Sequence, residues 1–375
     1  MRNTTKVLIG ILLAIVVGLV SILIYVLGFG GRISLFEDRF QTKLINTQTV
    51  SMEEVSNISI QGYSSEIVFI ETESEEMTIK EYGTNMIKGP FVNVDKKGEQ
   101  LYLEVDEDAF RTFIILGSNH KYFEVYLPSS YQGSLDVETN SGDIESKMNL
   151  ELSNCKIQAS SGYIDLQKVK SENILLSTSS GDIDVKELEG KSEVKASSGY
   201  INMERAIGDI NSSANSGDIT LKNIIVNIEV ETSSGYIDVE HITGNVTASA
   251  QSGDINLDKV EGMINLKTTS GYIEAYGITG AGDITTSSGD IELRMTTLTN
   301  NLNLQTSSGY IDCELPKDTS FAFEANSNSG DIETDFEDDL NYNKDGSSVK
   351  GNIGDTSDIT INLETSSGDI ELSLK

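Results

Sequence analysis

The sequence predicts an all-β fold: a parallel β-solenoid with about eighteen positions to the coil, preceded by one N-terminal transmembrane helix. Three observations carry that prediction. A Ser-Gly-[Asp/Tyr]-Ile turn recurs from Gly142 to Gly368, apolar residues alternate on both sides of each turn, and an uncharged apolar run stands ahead of the array, from Val7 to Phe29.

Taken in chain order, residues 1–6 carry Arg2 and Lys6 and form a short basic tail, expected on the cytoplasmic side. Residues 7–29 are almost wholly apolar. At about 1.5 Å per residue a helix of that length spans roughly 34 Å, enough to cross the hydrocarbon core. A cleaved signal peptide typically has only about 7–15 apolar residues before a small-residue site, and Leu27-Gly28-Phe29-Gly30 offers no such site. Residues 30–49 read as a juxtamembrane linker, 50–130 as a β capping region leading into the array, and 131–375 as solenoid repeats. The layout is that of a single-pass cell-membrane protein with the bulk of the chain extracellular.

The turn glycine falls at Gly142, Gly162, Gly181, Gly199, Gly217, Gly235, Gly253, Gly271, Gly289, Gly309, Gly330 and Gly368. The steps from Gly181 to Gly289 are uniform, each the distance from Gly181 to Gly199. The outer steps are slightly longer, and in the double gap between Gly330 and Gly368 the glycine at Gly351 reads as a decayed copy. Two residues after every glycine stands an isoleucine, as at Ile183 and Ile201, and four residues after it an aliphatic residue is usual. Seven residues after it Leu188, Ala206, Ile224, Ile242 and Val260 form another apolar column, and three before it the residue is always Thr, Ala or Ser. Alternation of this kind is the period-2 signature of strands, whereas a helix would space apolar residues near 3.6. A second glycine nine residues on (Gly190, Gly208, Gly244, Gly262, Gly280) marks a second turn. Two short strands and two turns per coil are therefore expected, with identical columns stacked about 4.8 Å apart. Proline is absent from residues 129 to 315, as it must be where interior strands donate hydrogen bonds to a neighbour. Twelve or thirteen coils at that spacing give a rod of roughly 60 Å.

Because the residue two after the glycine points inward, the one directly after it points outward and forms a surface ladder. In stacking order the ladder reads Asp182, Tyr200, Asp218, Tyr236, Asp254, Tyr272, Asp290, Tyr310, on the turns of Gly181, Gly199, Gly217, Gly235, Gly253, Gly271 and Gly289 for its first seven members. Aspartate on every coil would put like charges about 4.8 Å apart, costing about 0.9 kcal/mol per pair even at the dielectric of water. Interposed tyrosines avoid that repulsion.

Composition narrows the function classes. From residue 32 onward the chain has 25 basic and 59 acidic side chains, a net of −34, which excludes nucleic acid as a partner because phosphate binding needs clustered Lys or Arg. With two histidines, His120 and His241, no nucleophile–base triad is predicted, and neither a catalytic site, a cofactor nor a metal is expected. The carboxylates follow the repeat instead of breaking it, unlike a hydrolytic pair. The repeat lacks the glycine and aspartate density of calcium-bound β-rolls; the acidic stretch Glu333 to Gly346 reads as a solvated loop. Cys155 and Cys313 occupy inward columns roughly eight coils apart, far beyond the roughly 7 Å Cα limit for a disulfide, and read as small buried hydrophobes.

The "TSSGDI" turns, the closing "ITINLETSSGDIELSLK" and the segment from "VSNISIQGYSSEIVFIETESEEMTIKEYG" to "KYFEVYLPSSYQGSLDVETNSGDIE" together resemble the bacterial "putative adhesin" family of extracytoplasmic β-repeat domains. The match covers roughly residues 50 to 375 and includes Leu127-Pro128 ahead of the first repeat. The resemblance implies an envelope protein with no assigned ligand. Some similar proteins follow a single membrane helix and are encoded with cell-envelope stress systems. The expected function is a membrane-anchored, non-catalytic adhesin or envelope interaction module, held by residues 7–29, with a cell-wall polymer or envelope protein as partner. The alternatives are an accessory or sensor protein of an envelope stress response and a glycan-active β-helical enzyme; the sequence assigns no oligomeric state.

Overall fold

In the computed structural model, which describes residues 42–84, 87, 89–106, 120–336, 340–355 and 357–375, Ile237 pairs in parallel with Ile219 on one side and Ile255 on the other. One repeat length thus returns the chain to the same column, and the array is a parallel β-solenoid of about ten turns in chain order. An antiparallel meander is excluded, since every pairing between successive coils from Ile144 to Leu315 is parallel. The isoleucine column is sealed: Ile183, Ile219, Ile237, Ile255 and Ile273 have no exposed surface. Each such side chain contributes about 1.5–3 kcal/mol by leaving water, which keeps this column apolar throughout.

The number of strand segments varies from coil to coil: one in Ile183–Ala196 and Ile255–Thr268, the expected two in Ile237–Thr243 with Val246–Ala250, and three in one coil. That coil, of Gly199, has Ile201–Met203, Ala206–Ile207 and Ile210–Ala214. An additional corner falls six residues after the turn glycine, where Asn223, His241, Lys259 and Gly277 stack with left-handed φ of 52°, 58°, 57° and 69°. Gly277, Asn223 and His241 are residue types that adopt this conformation more readily than most, but three different residues and a lysine make no column that sequence alone would single out. The longer coils absorb their surplus in bulges, as between Leu166 and Lys168 and between Gly280 and Gly282.

At both ends the coils leave chain order. Asn57–Tyr63 pairs in parallel with Gln100–Val105 on one side and Ser134–Thr139 on the other, so an early segment sits between two later ones. The C-terminal strands do the same: Thr360–Thr365 lies between Ile291–Gln305 and Phe321–Ser327, and Ile370–Leu374 between Ile311–Leu315 and Ile332–Thr334. Gly351 is accordingly no decayed turn. It lies inside Ser348–Ile353, an antiparallel strand laid on Phe321–Ser327 and followed outward by Leu340–Tyr342. The other end is closed by Val92–Lys97, antiparallel on Gln100–Val105, and by Glu76–Gly83, antiparallel on Lys121–Pro128 and itself flanked by Lys43–Ser51. These antiparallel strands cover edges that would otherwise template pairing with another chain.

The strand Lys43–Ser51 begins within residues 30–49, read as linker, and Asn57–Tyr63 with Glu66–Thr72 already forms a coil inside the 50–130 capping region. In the N-terminal cap the buried Glu81 carboxylate accepts from the amides of Phe91 and Val92 and from the side-chain amides of Asn46 (2.7 Å) and Gln48 (2.9 Å). That full complement of donors is what lets a charged group occupy this position. The expected membrane helix, 7–29, lies outside the described residues; among those described, no helix is long and apolar enough to cross a membrane.

Candidate functional site: the turn edge and the amide groove

Close approach dictates the turn. A Cβ on Gly235 would lie 2.0 Å from the carbonyl oxygen of Gly217 in the preceding coil, and one on Gly253 would lie 1.7 Å from that of Gly235. Three residues earlier, buried Thr232 uses its Oγ1 twice, donating to the Gly217 carbonyl (3.2 Å) and accepting from the Gly235 amide (3.1 Å). The small-residue column is thus a strut between coils wherever it is threonine.

The structure brings the predicted Asp and Tyr positions together in register, and it adds a bond. Asp182 Oδ1 accepts from the Tyr200 backbone N–H at 2.9 Å, and Asp218 from Tyr236, Asp254 from Tyr272 and Asp290 from Tyr310, each at 2.8 Å. Asp143 serves Tyr163 identically, and at the C-terminal end Asp369 serves Asp331 at 2.9 Å. At the corner the ladder amide of the next coil lacks a backbone carbonyl to meet it, and the short carboxylate supplies the acceptor. The four aspartates of the central ladder are half-buried by this inward reach. The tyrosines are not: Tyr163, Tyr200, Tyr236, Tyr272 and Tyr310 are each 55–58% exposed. Two strand spacings, about 9.6 Å, separate one phenol from the next. Beside them run exposed serines, Ser179-Ser180 and Ser197-Ser198 among them.

A second feature, which the sequence reading missed, lies on the strand before the turn. Asn154, Asn173, Asn211, Asn227 and Asn245 line two contiguous shallow grooves of about 520 and 620 Å³ that share Lys191 and Ser192. Asn227 Oδ1 accepts from the Asn245 amide and Asn245 Oδ1 from that of Met263, both at 2.9 Å. The signal was an asparagine recurring eight residues before the turn glycine, at Asn154, Asn173, Asn227 and Asn245.

The remaining candidates are dispersed. His120 stands 3.7 Å from Glu66, and His241 Nε2 stands 3.3 Å from Lys259 Nζ on the next coil. Burial, opposed by His120 and reinforced by Asp143, raises the Glu66 carboxyl above its ordinary range. Cys155 and Cys313 are free and buried; burial pushes the Cys155 thiol up to about 12 and raises that of Cys313 as well, so both are held as inert thiols. Among the described residues no group of three or more His, Cys, Asp or Glu side chains is placed to hold a metal ion. Part of the acidic stretch Glu333 to Gly346 lies outside the described residues.

A parallel solenoid whose side-chain columns run on from coil to coil defines a class, the repeat-built proteins that present extended faces. Within it, the chain belongs to the Toastrack family, DUF4097, whose model matches residues 55–261 and 190–373. Three solved structures are similar at a low level. A "putative cell adhesion protein" from Clostridium sporogenes is 11% identical, with 89% of this chain and 100% of that one covered and a TM-score of 0.20. A "putative adhesin" from Bacteroides fragilis is 15% identical, covering 72% and 97%, with a TM-score of 0.26. Another from Parabacteroides merdae is 13% identical, covering 72% and 95%, with a TM-score of 0.22. No curated protein matches the chain.

Proposed function

We propose that this protein is a membrane-tethered, extracytoplasmic and non-catalytic β-solenoid that acts as an adhesin or cell-envelope interaction module. The observation that supports the reading is the turn edge, on which polar and aromatic side chains repeat over many coils. An enzyme concentrates its chemistry at one irregular place; a contact surface extends. The apolar segment Val7–Phe29 supports the tether, and the acidic ectodomain favours partners that are neutral or cationic. The test is crosslinking on intact cells that express the chain, followed by recovery under denaturing conditions. Recovery of wall glycan or a spread of surface proteins supports the module. Recovery of one membrane protein in fixed proportion points to the accessory or sensor role, and turnover of wall fragments by the purified chain would overturn the non-catalytic reading.

A further inference from the structure

The aspartates of the turn edge have a structural task, since each accepts a backbone amide from the next coil. The tyrosines space those carboxylates, a task that any uncharged residue would perform. Their contribution to that bond is the backbone N–H, which nearly any residue would provide. Among the described residues no hydrogen bond or ring contact holds the phenols of Tyr163, Tyr200, Tyr236, Tyr272 and Tyr310. Five large aromatic side chains, equally exposed and aligned over about 38 Å at a constant pitch of about 9.6 Å, are not accounted for by folding.

We infer that this row is the binding site for a linear, non-acidic glycan, lying along the rod and placing a sugar ring on successive tyrosines; the inference rests on the interaction-module reading. The electron-rich face of a phenol complements the C–H face of a pyranose ring. A row of constant pitch matches a ligand that is itself periodic and extended, and weak contacts add along such a chain. The half-buried carboxylates between the rings and the serine hydroxyls beside them offer acceptors and donors to sugar hydroxyls. The same carboxylates, on a chain of net charge −32, repel an acidic polymer.

The full-length chain in detergent is titrated with hexamers of β-1,4-linked N-acetylglucosamine, glucose and galacturonate, and with the dimers of the first two. The chain has no tryptophan, so its emission is that of its 14 tyrosines, and the part that the alanine variant abolishes belongs to the row. The expected result is binding of at least one neutral hexamer, more than about tenfold tighter than its dimer, with a change in tyrosine emission and no binding of galacturonate. The triple variant Tyr200→Ala, Tyr236→Ala, Tyr272→Ala is expected to lose affinity by about twentyfold or more, while Tyr→Phe at the same sites stays within about threefold. Should the triple alanine variant fold poorly, single Tyr236→Ala and Tyr236→Phe chains make the same comparison. Wild-type affinity in the alanine variants at an unchanged melting temperature overturns the tyrosine row and points to the amide groove. Absence of any glycan binding, with an envelope protein recovered by crosslinking, overturns this inference and leaves the module standing; failure of both experiments removes both readings.

Discussion

At the scale of single residues, the repeat is a set of close approaches rather than a set of preferences. Gly235 is required because the carbonyl of Gly217 occupies the place of its side chain, 2.0 Å from a built Cβ. Gly235→Ala is expected to cost about 1–3 kcal/mol, seen as a lower denaturation midpoint at an unchanged denaturant slope. Asp218→Ala leaves the Tyr236 amide without its acceptor and is expected to cost about 1 kcal/mol, whereas Asp218→Asn keeps an acceptor oxygen and should melt close to wild type. The glycine column was legible in the sequence because a steric exclusion admits one residue type. The Asp-to-amide bond was not: repulsion explains why aspartates are spaced, but the bond depends on where the neighbouring coil's backbone turns, which no column of letters displays. The left-handed corner at Asn223, His241 and Lys259 escaped for a related reason, since its column shares a backbone conformation but no residue type.

At the scale of elements, periodicity revealed the interior coils and misled at the ends. Between Gly181 and Gly289 each coil pairs with the coils next to it in sequence, so register follows from counting. Beyond Gly309 the next coil in space is the last in sequence, and Ser308 bridges to Ser367. The ladder does not reveal this exchange, because Tyr310 is followed by two aspartates in either order: Asp331 then Asp369 along the chain, Asp369 then Asp331 in space. Ile361, Leu363, Ile370 and Leu372 of that inserted coil are almost fully buried, each contributing about 1.5–3 kcal/mol. Deleting residues 357–375 should therefore strip hydrogen-exchange protection from Phe321–Ser327 and Ser348–Ile353 while leaving Ile237–Thr243 and Ile255–Thr268 protected, because in a solenoid each coil depends on its nearest neighbours. Uniform loss of protection along the whole rod would contradict this.

For the whole molecule, the governing quantity is charge. The chain carries a net −32, and its outward columns place carboxylates on neighbouring coils. Burial first, then Glu240 and Asp258, with Lys222 opposing, raise the Asp238 carboxyl above its usual range. An acid raised by folding is favoured in its protonated form, so its stabilising contribution is present below the ordinary carboxylate range and is lost as pH rises through the raised value. Asp238→Asn mimics the protonated group; it should raise the melting temperature by about 1–2 °C near pH 7 and leave it unchanged near pH 4. Glu187 and Glu189 behave oppositely, held low mainly by hydrogen bonds from Lys168, so their contribution disappears as pH falls through their lowered values. Thermal stability is thus expected to peak on the acidic side of neutrality and to rise with salt near pH 7, where screening weakens repulsion between exposed charges.

The interlocked end coils also restrict how such a rod can change in length. Neither end of the solenoid is free to take another repeat, because each is a clasp in which a strand from elsewhere has already closed the gap. Growth or shrinkage must occur in the middle. There a single unit would set two carboxylate turns side by side, or two phenol turns with an amide left unmet, so the natural increment is a pair of units, like that from Asp218 to Asp254.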